Sequence, residues 1–313
     1  ADVPEVPAPA SSSDPGAGRV VLMGQILVDR VLQGARPIHG GGSEWARDGG
    51  THVGGGFNAL VAARRMGAEA ISLSPIGTGP HASMIEAALA REGIVDAGPR
   101  VDGVDNGFCV AMIGHDAERT FISTKGAETM TPETAWADFV RTMSPGDVLY
   151  IDGYLMDHPA NREAAEAALR VLPEGVRVLL DVSPVIGIPE SLPTHHAIIS
   201  MNSVEARAIA KQSRLDGYLP FDSLSCRLAQ TLGRDTLIRL GASGAYFARS
   251  ASPDSETSAA HIPTPTIDAV DTNGAGDAHT GVLAASLALG IPLERGLVLA
   301  NCAGALASTV PGP

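Results

Sequence analysis

Lysine is almost missing from this chain. Lys125 and Lys211 are the two lysines among 313 residues, and neither follows a Gly-x-x-x-x-Gly stretch. That excludes a Walker P-loop, so any nucleotide has to be held by other means. Cysteine is rare as well. Cys109, Cys226 and Cys302 are far apart and odd in number, and no CxxC is present. Such thiols fit a reduced cytoplasmic protein and supply neither a disulfide framework nor a zinc site. No apolar run reaches the length of a membrane span. Positive charge is in the minority: 22 Lys and Arg against 35 Asp and Glu leave a net charge of −13. Nucleic acid and anionic membrane are therefore poor partners for the main activity.

The length suits one large α/β domain, or one domain with an insertion. Residues 1–18 are rich in Pro, Ala and Ser and lack an apolar h-region, so they read as a disordered tail and not as a signal peptide. Beyond them, apolar strands alternate with helices. Strands are expected at 19–23, 71–76, 147–151, 176–182, 197–200 and 236–240, and helices at 58–66, 83–92, 161–171, 204–211 and 293–309. This alternation implies βαβ units and a mostly parallel sheet with helices on both faces. Ligands in such sheets sit beyond the carboxyl ends of the strands. Asp29, Asp152, Asp181, Asn202 and Asp277 all fall at or just beyond expected strand ends, which points to a common cleft. Residues 31–53 have no helical period. Phe108, Val110 and Met112 alternate before a turn at 114–117 and a second run at 120–123, the pattern of a hairpin.

The chemistry concentrates in Asp271-Thr272-Asn273-Gly274-Ala275-Gly276-Asp277. Residues 266–270 before it read as the end of a strand, and 278–289 after it as a buried helix. The first turn of a helix has free backbone N–H groups and a partial positive charge. Glycines let an anion approach that backbone closely. Asp277 then lies in the first turn, beside an anion site, as a carboxylate that stays ionised and accepts a proton. An anion hole with an adjacent base suits phosphoryl transfer to a hydroxyl, with the amides of Gly274, Ala275 and Gly276 meeting the charge that develops. The competing reading is a Gly-rich turn with an Asp helix cap.

Three elements together favour the first reading. The stretch 271–277 resembles the DTxGAGD motif of the ribokinase-like (PfkB) carbohydrate kinase family. Gly54-Gly55-Gly56-Phe57-Asn58 and the helix after it resemble that family's N-terminal Gly-Gly…Asn pattern, and Asn202-Ser203-Val204-Glu205 its Asn-x-x-Glu. The resemblance runs from about Val20 to the C-terminus. It implies an α/β fold: a three-layer, doubly wound, mostly parallel sheet with a small β-sheet lid, the domain spanning 19–313 and the lid segments about 30–54 and 105–127. It implies ATP-dependent phosphorylation of a hydroxymethyl group of a sugar or sugar-like substrate, with Asp277 as general base. Asp29, Gly55, Gly56 and Asn58 would hold the sugar. Asn202, Gly241, Gly244 and Asn301 would flank ATP. Glu205 would support Mg²⁺ through water, and Asp271 with the loop after Thr309 would hold K⁺. A homodimer through the lid also follows from the resemblance.

Each assignment has a plainer counterpart. Asn202 or Ser203 can cap a helix with Glu205 as a favourable early acid. Asn301 can be a buried helix residue bonded to a neighbouring loop. Asp271 can simply hydrogen-bond its own turn. His195 and His196 are adjacent, so on a strand they face opposite ways and make no metal site. Three departures from the family pattern stand out. Gly77-Thr78-Gly79 lacks an expected acid, His279 stands where Phe is usual, and Arg239 where Thr is usual. Arg239 either reaches a phosphate or is a solvated strand residue. Rival functions are a nucleoside kinase of the same superfamily, for which aromatics are scarce at 4%, an NAD-dependent oxidoreductase, for which G-x-G-x-x-G is missing after the first strand, and a non-catalytic sugar-binding regulator, which has no use for a base beside an anion hole.

Overall fold

The computed structural model describes residues 17–34, 43, 45–113, 119–250, 258–310 and 312. The tail expected over 1–18 lies outside them up to residue 16, and so does the turn at 114–117. In chain order the first strands are β1 (Arg19–Met23), β2 (Ile26–Gln33), β3 (Arg47–Gly55), β4 (Glu69–Ser72), β5 (Val95–Asp96), β6 (Phe108–Ile113) and β7 (Arg119–Ser123). They are followed by β8 (Val148–Asp152), β9 (Arg177–Asp181), β10 (Ala197–Asn202), β11 (Asp235–Arg239), β12 (Ala245–Ala248) and β13 (Ala259–Ile262). The helices are α1 (Gly56–Arg65), α2 (Pro80–Glu92), α3 (Ala135–Val140), α4 (Pro159–Arg170), α5 (Ser203–Gln212), α6 (Phe221–Leu232), α7 (Ala275–Ala288) and α8 (Leu293–Ala307).

Nine strands form the main sheet in the order β13-β12-β11-β10-β9-β8-β1-β4-β5. The strands from β11 to β5 run parallel, and β12 and β13 pair antiparallel at one edge. The central strands are buried on both faces, so they read as unbroken apolar runs. In β1, Val20 and Leu22 pack into one core with α1, α2, α7 and α8, while Val21 and Met23 pack into the other with α3, α4, α5 and α6. The alternation of a strand side chain thus feeds both layers. From β1 the chain goes to β4 on one side, and later to β8 and beyond on the other. The crevice at this reversal is where open α/β sheets bind ligands.

The edge corrects one expectation. Residues 266–270 form no strand. The strand before the Gly-rich turn is β13, which ends at Ile262 and is antiparallel to β12. Pro263 and Pro265 have no N–H to donate to a ladder, so pairing stops there. Strands β5, β12 and β13 and helices α3 and α6 lie outside the elements expected from the apolar pattern.

A second sheet, β3-β2-β6-β7, stands apart from the main one. β2 pairs antiparallel with β3 and parallel with β6, and β6 pairs antiparallel with β7. Asp29 therefore lies in the middle of β2, opposite His52 and in register with Cys109, and not at a main-sheet strand end. The acid missing after Gly77 comes from elsewhere in the chain. Asp105 accepts the N–H groups of His81 at 3.1 Å and Ala82 at 2.9 Å, closing the N-terminus of α2.

α1 and α7 cross at very short range. A Cβ on Gly281 would stand 2.1 Å from the Ala59 carbonyl oxygen, so only glycine permits the crossing. Helix α7 is buried on all sides from His279 to Ala288. That matches its position between the main sheet, α1 and α8. No helix among the described residues is long and apolar enough to cross a membrane.

Candidate active site

The Gly-rich turn enters α7 through Gly274, whose φ of 74° is a left-handed conformation suited to glycine. The helix starts at Ala275, so Asp277 stands in its first turn. The Ala275 N–H makes a long bond of 3.4 Å to the Thr272 carbonyl. The Asp271 carboxylate accepts from Asn273 N at 2.9 Å and from Gly312 N at 3.0 Å, joining the turn to the C-terminal segment. Val270 and Asp271 also donate their N–H groups to the Ser308 carbonyl.

Asn58 comes from the first turn of α1 and donates its Nδ2 to Asp277 Oδ2 at 3.2 Å. Burial pushes the Asp277 carboxyl up to about 6, with the Asn58 bond working against the rise and the charge on Asp181 adding to it. At neutral pH the group is mostly ionised, and its affinity for a proton is far above that of a surface aspartate. This combination serves a general base.

Asp29, on β2 of the second sheet, is close enough for its charge to act on Asp277. A Cβ on Gly54 would fall 1.9 Å from Asp29 Oδ2, so the first glycine of the triplet makes room for the carboxylate. Burial pushes Asp29 up to about 6, opposed by His52. Gly55 takes a φ of 66° at the α1 N-cap. Gly56 is buried on Leu22, and its N–H donates to the Gln25 carbonyl at 2.9 Å. Asp152 ends β8 and accepts the Gln25 N–H at 2.6 Å. Burial carries it up to about 7. Gln25 Nε2 is buried without a partner in this corner.

Across the cleft, Asn202 ends β10 and caps α5. Its Oδ1 accepts from the N–H groups of Val204 and Glu205, both at 2.9 Å. Glu205 returns the favour, taking the Asn202 N–H at 2.6 Å and Nδ2 at 2.7 Å. This is a complete capping box, so the plainer reading of these two residues holds. Glu205 is buried, and burial raises its carboxyl above the ordinary range. Arg239 ends β11 and proves to be a half-buried residue of the cleft, not a solvated strand residue. Its Nη2 donates to Asp181 Oδ1 at 2.9 Å, and its Nη1 lies 3.3 Å from both the Gly276 carbonyl and Thr280 Oγ1. Thr280 in turn donates to Asp181 Oδ2 at 2.9 Å. The link between Arg239 and Asp181 was not legible in the sequence, because it depends on β9 and β11 flanking β10.

Gly241 has a φ of 56°, and Gly244 one of 80° with its Cα against the Ile262 carbonyl. Asn301 spends its Nδ2 on the carbonyls of Ile262 at 2.9 Å and Pro263 at 3.1 Å, which ties α8 to the end of β13. Beside it, His279 is buried, with its side-chain hydrogen bond to Asn301 favouring the charged ring. Burial and then the Arg239 charge drive its pKa down to about 3.

The structure therefore brings Asp29, Asn58, Asp152, Asp181, Glu205, Arg239 and Asp277 around one cleft at the carboxyl ends of β8 to β11. Comparison with known proteins identifies the family. The profile described as pfkB family carbohydrate kinase matches residues 18–313. The uncharacterised sugar kinase YegV of Escherichia coli (strain K12) is 32% identical over 94% of this chain and 88% of its own length. A ribokinase of Arabidopsis thaliana is 27% identical over 97% of this chain and 79% of its own length. Among solved structures, ribokinase from Thermotoga maritima superposes with a TM-score of 0.77 at 19% identity, covering 95% of this chain and 94% of that one. Arabidopsis thaliana ribokinase complexed with ribose and ATP gives 0.73 at 23% identity, covering 95% and 93%. A fold built on a nine-stranded sheet with a separate small sheet, a Gly-rich turn leading to Asp277 and a family match over nearly the whole length lead to one conclusion: the chain belongs to the pfkB family of carbohydrate kinases and is an ATP-dependent kinase.

Proposed function

We propose that the chain phosphorylates a hydroxymethyl group of a sugar or sugar-like compound, with Asp277 as the general base. The observation that carries this reading is the Asp277 carboxylate itself. It stands in the first turn of α7, bonded to Asn58 and raised to about 6. The acceptor hydroxyl gives its proton to Asp277 as the oxygen attacks the terminal phosphorus of ATP, whose bond to the bridging oxygen breaks so that ADP leaves. The N–H groups at the α7 N-terminus, from Gly274 to Gly276, meet the charge on the transferred group.

The sugar lies between the lid sheet and α1. Asp29 accepts hydrogen bonds from its hydroxyls, since a carboxylate can serve two vicinal hydroxyls at once. Gly55, Gly56 and Asn58 line the same side. The lid segments, about 30–54 and 105–127, keep water from competing for the phosphoryl group. ATP lies toward Asn202, Gly241, Gly244 and Asn301. One fold neighbour is complexed with ribose and ATP, which supports a sugar and ATP as the two substrates.

Oxygen donors on the nucleotide side fit Mg²⁺, a hard ion that prefers carboxylates and water. Glu205 supports it through water, its oxygens being already engaged by Asn202. When bound, the ion neutralises phosphate charge. Asp271 is the candidate for a K⁺ cage with the C-terminal loop, supported by its bond to Gly312. Pairing of two lids in a homodimer belongs to the same reading. The test is an ATP-consumption screen over ribose, fructose, sugar acids and nucleosides. Turnover confined to compounds bearing a free hydroxymethyl group is expected, and binding of sugar without turnover of ATP would overturn the enzymatic reading.

A further inference from the structure

Arg239 stands where the turn that this chain resembles usually has Thr, and its surroundings give it a task. The guanidinium is 14% exposed and lies against the Gly-rich turn: a Cβ on Gly276 would be 3.3 Å from its Nη1. It also faces acid on several sides. Nη2 is 2.9 Å from Asp181 Oδ1 and 3.9 Å from Glu205 Oε2, and Asp29, Asp152 and Asp277 line the rest of the cleft. Five carboxyl groups around one cleft repel a triphosphate. Guanidinium is always charged and carries a planar fork of donors matched to phosphate oxygens.

We propose that Arg239 is a phosphate-binding residue of the nucleotide site. Its fork rests on Asp181, and it turns onto the ATP phosphates when they reach the turn. The proposal rests on reading that turn as the anion site. Two features of the arrangement favour it over a plain strut between β11, β9 and α7. The Nη1 contacts to the Gly276 carbonyl and Thr280 Oγ1 are long, at 3.3 Å each, and go to neutral groups, so little is lost when they open. Asp181 keeps the Thr280 hydroxyl at 2.9 Å after the arginine leaves, so no buried carboxylate is stranded without a partner.

Strut and phosphate ligand give opposite expectations for the two partners of the ion pair. Isothermal titration of ATP and of adenosine into the full chain, in metal-free buffer at fixed ionic strength, separates them. Arg239→Thr is expected to weaken ATP by about tenfold or more, the usual scale for a charged hydrogen bond, and to leave adenosine within about twofold. Asp181→Asn releases the guanidinium and is expected to hold ATP as tightly as the wild type or more tightly. Arg239→Lys keeps the charge without the fork and should fall between Arg239→Thr and the wild type. The proposal fails if Arg239→Thr binds ATP normally, if ATP and adenosine weaken together, or if Asp181→Asn loses ATP as Arg239→Thr does. Should Arg239→Thr not fold, Arg239→Lys and Asp181→Asn decide by the same criteria. A wild-type chain that binds adenosine but gains nothing from the phosphates would sink the anion-site reading itself, whereas the outcomes above sink the arginine assignment alone.

Discussion

The side-chain amide of Asn58 reaches the Asp277 carboxylate at 3.2 Å across 219 residues of sequence. Both stand in the first turn of their helices, and the close crossing at Gly281 brings those two helix starts together. The proposed base is thus steered by a neighbour in the proposed sugar site. Asp277→Asn is expected to lower kcat by about 10²–10⁴-fold, the ordinary range for a general base, with ATP affinity retained in a titration.

Asn58→Leu tests the coupling through pH. The bond from Asn58 is the leading influence that holds the Asp277 pKa down against burial. A base must be deprotonated, so kcat/KM should fall as pH drops through about 6 in the wild type. Without the amide the pKa rises, and the acid limb should move to higher pH. A limb that stays in place in Asn58→Leu would separate Asn58 from the base.

Gly54→Ala places a methyl group where Asp29 Oδ2 now lies, 1.9 Å from the ideal Cβ. The carboxylate has to turn away. The KM for the acceptor sugar should rise by about tenfold or more, the scale of a lost hydrogen bond to a charged group, while the KM for ATP stays level. Equal losses for both substrates would mean general damage and not displacement of Asp29.

His279→Phe should stabilise the protein, because the fold holds the buried ring neutral: burial and then the Arg239 charge outweigh its side-chain hydrogen bond to Asn301. The gain should also grow in acid. The folded pKa of about 3 lies below the ordinary 6.5 of the unfolded chain, so the unfolded state binds the proton first. Stability from the neutral ring is whole above about 6.5 and is lost as pH falls toward 3, by up to about 1.4 kcal/mol per pH unit. Chemical denaturation at pH 7.5 and at pH 5.5 (roughly one unit either side of the unfolded pKa) checks both signs. A variant whose advantage is the same at both values would contradict the shift.

Gly281→Ala forces a methyl group to within 2.1 Å of the Ala59 carbonyl oxygen. Backbone cannot yield as a flexible side chain does, so α1 and α7 must separate. Destabilisation of about 3 kcal/mol, the upper end for ordinary overpacking, is expected in urea titration. kcat should fall with it, since Asn58 and Asp277 move apart. Full activity in a destabilised variant would show that the crossing serves the core alone.

Two local signals in the sequence decided most of what the chain is. Apolar runs of four to six residues alternating with small-residue helices arise from hydrogen bonding and side-chain period within a few residues, so the layered sheet and the positions of α1, α5, α7 and α8 were readable directly. The Gly-rich turn was readable for the same reason: the left-handed φ at Gly274 and the Asp in the first helical turn are neighbours in sequence. The edge strand β13 escaped because its end is set by prolines at 263 and 265, while the apolar pattern resumes beyond them. Contacts between distant segments were decided by tertiary structure alone. Asp105 supplies the cap that residues 77–79 lack. Asp152 takes the Gln25 amide, and Arg239 meets Asp181 because β10 separates their strands by the width of one strand. A sequence specifies which residues carry charge. Only the order of strands in the sheet, fixed by burial over the whole domain, decides which of those charges share a low-dielectric cleft and shift one another.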